Sequence, residues 1–287
     1  MAQILWGNEL ANQIKEDLKL EINTLVSANK RIPKLVVILV GEDPASMVYV
    51  TNKQKACQSV GILSELVRFS KDTKEEVLLE KIQSLNLDDT VDGILVQMPI
   101  PKQIDTDLII NMINIEKDVD GLHPLNIGKL QSKKPCLIPC TPLGIMELIR
   151  SINYQITGKT AVVIGRSNLV GLPVVQLLLQ ENATVTICHS HTRNLEDICK
   201  QADILIAAVG KQGLITKNHV KEHALVIDVG TSRGEDGKLH GDVLFDEVEP
   251  LVDYITPMPK GVGPMTIAML VKNTLKAYYQ REAKNGV

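Results

Sequence analysis

Ser46, Tyr49, Lys53 and Ala56 recur at spacings of three and four, which would put a phenol and an amine on one face of a helix. Lys55, two positions on, would point about 200° away around that helix. One lysine can then face a ligand beside Tyr49 while the other meets solvent. The plainer alternative is that Tyr49 caps the core and both lysines are solvated, as most lysines are. Gln97 ends the apolar run Gly93-Ile94-Leu95-Val96, at the strand end where open α/β sheets collect ligands. It could equally be a polar residue that only terminates the strand. Asp120, in Asp118-Val119-Asp120-Gly121, offers a carboxylate to an amino-pyrimidine-like donor, or simply forms a turn before glycine.

A second group begins with Ala161-Val162-Val163-Ile164, a run dense in β-branched residues and suited to a buried strand. Gly165 turns the chain, and after Gly171 a helical pattern starts, with Val175, Leu178 and Leu179 assigned to its apolar face. Strand, glycine turn and helix aim backbone N–H groups at a phosphate. The motif departs from GxGxxG, because Ser167 stands where the second glycine would be and Arg166 adds a cation. The next strand, 183–188, ends at His189-Ser190-His191-Thr192-Arg193, where an NAD site would carry an acidic residue. A hydroxyl and cations there suit a 2′-phosphate, so the expected cofactor is NADP; the alternative is an ordinary surface loop. Residues 257–266 form a Pro- and Gly-rich loop that can bring backbone close to a flat ligand or serve as a rigid connector. Cys136 and Cys140 lack partner ligands at zinc spacing, and His219 and His223 lack the glutamate of HExxH and read as surface residues. No metal site is expected.

The elements that must carry these residues alternate between strand and helix. Glu9–Ala28 has a helical stripe of Leu10, Ile14, Leu18, Ile22 and Leu25. Strands follow at 34–40, 63–69 and 93–97, with helices at 45–59 and 74–84. The stretch 128–142 reads as loop until Thr141-Pro142 opens a helix. Strands near 161–165, 184–188, 203–208 and 224–228 make a second series, with a last short strand at 255–257 and a closing helix from Ala268. This rhythm predicts helix-covered parallel sheets in two α/β domains. The chain has 287 residues, 44% hydrophobic and 23% charged, with a net charge of -3, which fits a soluble protein without a large attraction to nucleic acid or anionic membrane. Five cysteines at irregular spacing, no signal-peptide pattern and no membrane-length apolar run point to free thiols in the cytoplasm.

Taken in order, Ser46-x-x-Tyr49-x-x-x-Lys53-x-Lys55-Ala56, Gly93–Pro101, Lys117–Gly121, Pro139–Pro142, Gly165-Arg166-Ser167 and Gly261–Thr266 resemble the bifunctional methylenetetrahydrofolate dehydrogenase/methenyltetrahydrofolate cyclohydrolase family, in its bacterial form. The resemblance spans essentially the whole chain. It implies a catalytic, folate-binding domain over 1–139, completed by a C-terminal helix at 267–287, and a Rossmann-like NADP-binding domain over 140–266. An active-site cleft between the two domains and a homodimer are further implications. By motif, Lys53 resembles the catalytic lysine, with Tyr49 and Gln97 beside it. Asp120, Pro259 and Gly263 correspond to folate-binding positions, and Gly165, Arg166, Ser167, Ser190 and Thr231 to cofactor positions. Lys260 departs from the pattern, since many members have glycine there. The rival readings are an NADP-dependent dehydrogenase of another small substrate and a non-catalytic nucleotide sensor.

Overall fold

The computed structural model describes residues 1–285. In chain order the elements are β1 (Gln3–Ile4), α1 (Gly7–Ser27), β2 (Lys34–Val40), α2 (Pro44–Val60), β3 (Leu63–Phe69), α3 (Glu75–Leu87), β4 (Gly93–Val96), α4 (Thr106–Met112), α5 (Pro124–Gln131) and α6 (Cys140–Ser151). They continue with β5 (Thr160–Ile164), α7 (Gly171–Gln180), β6 (Thr184–Cys188), α8 (Leu195–Cys199), β7 (Ile204–Ala207), β8 (Leu225–Asp228), β9 (Ser232–Arg233), β10 (Leu239–His240), α9 (Phe245–Val248), β11 (Tyr254–Ile255) and α10 (Val262–Asn285). The chain forms two compact units: Asn12–Cys140 with the residues from Ile267 onward, and Met1–Ala11 with Thr141–Thr266. The first eleven residues, assigned from sequence to the catalytic domain, thus group with 141–266. The cause is a parallel pairing of β1 with β11 (Gln3 with Tyr254, Ile4 with Ile255), which no local pattern announces.

In the unit built on 12–140, β2 lies between β3 and β4, all parallel. Leu35 to Leu39 of β2 are essentially inaccessible, as a strand covered on both faces requires. Val36, Ile38, Leu78, Ile82, Ile94 and Ile109 belong to one core cluster. Burying each such side chain contributes about 1.5–3 kcal/mol. β2 leads through α2 to β3 on one side, and α3 returns the chain to β4 on the other. This places a topological switch point at the C-terminal ends of β2 and β4. Two short helices went unread. α4 starts at Asp105, whose carboxylate accepts from the backbone N–H groups of Asp107 and Leu108. α5 occupies part of the expected loop, with His123 capping it through Nδ1 and Pro124 in the first turn.

The other unit carries a six-stranded parallel sheet in the order β1-β11-β8-β7-β5-β6. β5 passes through α7 to β6 on one side, and the chain then returns across β5 to β7, so the switch point lies between β5 and β7. That is where a doubly wound sheet binds nucleotide. α7 buries Val174, Val175, Leu177 and Leu178, whereas Leu179 is 42% exposed. The helix is covered along 174–178, and Leu179 lies past the edge of that stripe. His219 also differs from expectation, whereas His223 is exposed, as read from sequence. His219 is buried in a 3-10 turn, with its ring against Thr216, and His223 has φ 65° and shares no helix with it.

Candidate active site and nucleotide site

α2 begins at Asp43, whose carboxylate accepts from the backbone N–H and the hydroxyl of Ser46, both at 2.8 Å. Pro44 fills the first turn, and Gly61 ends the helix at φ 91°. Val50 and Cys57 carry the buried face. Tyr49 is 50% exposed, so it does not cap the core. Lys53, one turn further, is half-buried and Lys55 exposed. Lys53 Nζ donates to Gln97 Oε1 at 2.9 Å, while Gln97 Nε2 donates to the Met98 carbonyl at 2.6 Å. The second bond orients the amide, so its oxygen faces the amine. Gln97 N–H in turn donates to the Ile38 carbonyl at 2.8 Å, which fixes the residue at the β2/β4 switch point.

The Lys117–Gly121 segment separates into framework and one candidate ligand group. Lys117, 2% exposed, donates from Nζ to the carbonyls of Leu85, Asn86 and Asp88 at 2.9, 2.9 and 2.7 Å, closing the end of α3. Burial, helped by the Arg281 charge, pushes this amine down to about 8. Asp118, also 2% exposed, accepts from Leu122 N–H, His123 N–H and Asn126 Nδ2 at 3.2, 2.8 and 2.8 Å. Burial pushes its carboxyl up to about 6, with those hydrogen bonds opposing the shift. Asp120, two residues after Asp118, remains half-buried.

Cys140, weighed from sequence for zinc and counted in the Pro139–Pro142 motif, receives no role in the site from that reading. Its buried thiol donates to the Val119 carbonyl at 3.4 Å and is pushed well above its usual range by burial and then by the Asp120 charge, with Lys53 opposing. Lys53, Asp120 and Cys140 therefore share one electrostatic neighbourhood. Asn273 of α10 supports it: Nδ2 donates to the carbonyls of Val119 and Ile138, each at 2.8 Å, and contacts Cys140 Sγ at 3.6 Å.

The cofactor candidates lie at strand ends of the other unit. Gly165 follows β5 with φ 119°, and a side chain there would strike the Ala208 carbonyl. Gly171 opens α7 against the Gly165 carbonyl, again leaving no room for a Cβ. These close approaches leave the backbone turn bare. Ser167 Oγ accepts from Val170 N–H at 3.1 Å and closes the turn. Arg166, Ser167, Ser190 and Thr231 are exposed, following β5, β6 and β8. The 189–192 turn is ordered by the His189 N–H donating to Thr192 Oγ1 at 2.8 Å. These features fit a dinucleotide carrying a 2′-phosphate: a bare glycine turn, exposed cation and hydroxyls, and no acid after β6. Pro259 and Gly263 are exposed around the start of α10, and Lys260 has φ 81°. A left-handed backbone suits glycine best, which accounts physically for Lys260 standing at a glycine position.

Two parallel α/β units, one with a glycine turn at its switch point and the other with a lysine–amide pair at its own, define a nucleotide-dependent enzyme of the doubly wound class. Residues 5–120 match the tetrahydrofolate dehydrogenase/cyclohydrolase catalytic domain, and residues 139–282 match the NAD(P)-binding domain of the same family. The chain belongs to the tetrahydrofolate dehydrogenase/cyclohydrolase family. It is 53% identical over 277 residues to the bifunctional protein FolD of Bacillus cytotoxicus, covering 96% of each chain. Among solved structures it is similar to the bifunctional FolD enzyme, methylenetetrahydrofolate dehydrogenase/cyclohydrolase, of Campylobacter jejuni. That match has 46% identity and a TM-score of 0.96, covering 98% of this chain and 100% of the other. It is also similar to the Trypanosoma brucei methylenetetrahydrofolate dehydrogenase-cyclohydrolase complexed with NADP cofactor and an inhibitor. Here identity is 37% and the TM-score 0.93, covering 97% and 98% of the two chains. Among the described residues, no helix is long and apolar enough to cross a membrane.

Proposed function

We infer that the protein oxidises 5,10-methylenetetrahydrofolate to 5,10-methenyltetrahydrofolate with NADP⁺, then hydrolyses the product to 10-formyltetrahydrofolate. The observation that carries this reading is the Lys53–Gln97 pair at the β2/β4 switch point of a chain whose two halves match the family's two domains. NADP⁺ supplies the hydride acceptor for the first step. What that step asks of the protein is orientation of the substrate rather than acid–base chemistry. The second step adds water to a methenyl cation and opens the ring, so a proton must leave the water and another must reach nitrogen. Lys53 is the group assigned to move it, and Gln97 aims the amine. Tyr49, half exposed one turn away, completes the catalytic set and lies along the substrate. Asp120 receives the pterin N–H groups, and Pro259 and Gly263 line the folate. Gly165, Arg166, Ser167, Ser190 and Thr231 hold the cofactor. The family resemblance adds a homodimer working in the cytoplasm.

The test is absorbance-monitored turnover of methylenetetrahydrofolate with NADP⁺ and, separately, NAD⁺. The wild type should prefer NADP⁺. Arg166→Ala should weaken NADP⁺ by about 10- to 100-fold and NAD⁺ far less, the range expected on losing a charge-assisted hydrogen bond. Equal use of the two cofactors by the wild type would refute the assignment of Arg166 and Ser190. A second expected result concerns Asp120→Ala. Folate KM should rise in both reactions, by the equivalent of about 1.5–3 kcal/mol, while the KM for NADP⁺ is unchanged. Normal folate binding by that variant would reduce Asp120 to a turn residue.

A further inference from the structure

Asp242 is fully buried. Its carboxylate accepts from three successive backbone N–H groups, those of Val209, Gly210 and Lys211, at 2.7, 3.2 and 2.7 Å. Three adjacent N–H groups converging on one point form the kind of concavity that elsewhere binds an anion; here the chain fills it with its own carboxylate. Asp242 is itself fixed. Its N–H donates to Asp228 Oδ1 at 2.9 Å, Val243 N–H donates to Asp228 Oδ2 at 3.1 Å, and Ile215 N–H donates to the Asp242 carbonyl at 2.9 Å. Asp228 ends β8, and Thr256 Oγ1 holds it there by accepting from its N–H at 2.7 Å. The segment so pinned follows β7. Ala208, its first residue, presents the carbonyl that the Gly165 turn packs against. The 208–211 segment is therefore one wall of the β5/β7 switch point, and its shape is set by a residue more than 30 positions away. Val209 and Gly210 are exposed on that wall.

We propose that Asp242 is a positioning residue for NADP⁺: its carboxylate moulds the 208–211 wall of the nucleotide site without touching the nucleotide. The proposal rests on the cofactor reading above. Two variants disturb the wall from opposite sides. Asp242→Asn keeps the shape but turns an NH₂ toward backbone N–H groups. Gly210→Ala leaves Asp242 intact and acts by strain, since Gly210 has φ 69° while a Cβ there meets nothing nearer than the Thr231 carbonyl at 3.8 Å.

The experiment measures three quantities on wild type and both variants: the KM for NADP⁺, dehydrogenase kcat at saturating NADP⁺, and hydrolysis of added methenyltetrahydrofolate without cofactor. The KM for NADP⁺ should rise about tenfold in Asp242→Asn, the scale of a lost hydrogen bond to a charged group, and severalfold in Gly210→Ala. Hydrolysis should stay at the wild-type rate in both. A merely structural role would lower all activities together and leave the KM for NADP⁺ where it was; that result overturns the proposal. So does an unchanged KM in Gly210→Ala, which also decides the matter if Asp242→Asn does not fold. Failure of the wild type itself to oxidise methylenetetrahydrofolate with NADP⁺ would instead refute the underlying reading.

Discussion

Lys53→Met is expected to abolish hydrolysis of methenyltetrahydrofolate while leaving measurable oxidation of methylenetetrahydrofolate. The geometry supplies the reason. The amine is held 2.9 Å from an amide oxygen whose own orientation is set by a second bond, to the Met98 carbonyl. Such a group can give and take a proton at a defined place. Positioned acid–base groups contribute about 10²- to 10⁴-fold, so the cyclohydrolase should fall by at least that lower figure. Hydride transfer needs no protein proton acceptor, and methionine retains most of the stem's bulk. Any dehydrogenase loss should therefore reflect positioning alone. Methenyl product and NADPH are followed separately: the wild type passes methenyl on, and the variant should accumulate it. Lys55→Met is the control, because that side chain is exposed on the other side of α2. Wild-type hydrolysis by Lys53→Met, or its loss in Lys55→Met instead, would remove Lys53 from the mechanism.

The site was legible where chemistry and local periodicity coincide. The 34–40 and 63–69 strands have the bounds read from their apolar runs, and the three-four spacing of Tyr49 and Lys53 lies on a helix whose cap, Asp43-Pro44, is visible in sequence. Short capped helices were harder. α4 and α5 are 7 and 8 residues long, too short for a periodic stripe, although Asp105 and His123-Pro124 are cap signals that could have located them. Contacts between distant residues left no local trace. The link from Asn273 to Val119 spans 154 positions, and that from Asp242 to Val209 spans 33. Cys140 failed for a related reason: a lone buried thiol has no spacing to read, and its importance comes from Asp120 and Lys53 around it. Polar residues beyond the reach of periodicity thus hold the loops that carry the predicted ligand groups.

Asp92 offers the largest expected effect on stability. It lies just before β4, is fully buried, and accepts from Arg31 Nη1 and Nη2 at 2.6 and 2.7 Å, from Lys34 N–H at 2.9 Å and from Arg281 Nη1 at 2.9 Å. Arg281, on α10, is 7% exposed and also donates to the Val91 carbonyl. Asp92→Ala takes away the buried carboxylate of that guanidinium and leaves it only the exposed Asp89, at 3.3 Å, and backbone carbonyls. Stranding one member of a buried pair typically costs about 3–5 kcal/mol. Arg31→Ala removes a cation whose side chain is 30% accessible, and Asp92 keeps its other donors, so that loss should be nearer about 1 kcal/mol. The contrast separates burial from mere pairing. Denaturant unfolding followed by far-UV ellipticity should show a much lower midpoint for Asp92→Ala than for Arg31→Ala. The chain's single tryptophan, Trp6, belongs to the other compact unit, so its fluorescence tests whether the loss is confined to the unit holding Asp92. Asn273, which holds the turn before Asp120, lies on the same helix as Arg281, two turns earlier. Undocking the C-terminal part of α10 should therefore raise the folate KM of Asp92→Ala before it lowers the affinity for NADP⁺. A loss below about 1 kcal/mol in Asp92→Ala, with folate KM unchanged, would mean that the two arginines are satisfied by Glu282, Asp89, carbonyls and solvent, and that this carboxylate does not anchor the last helix.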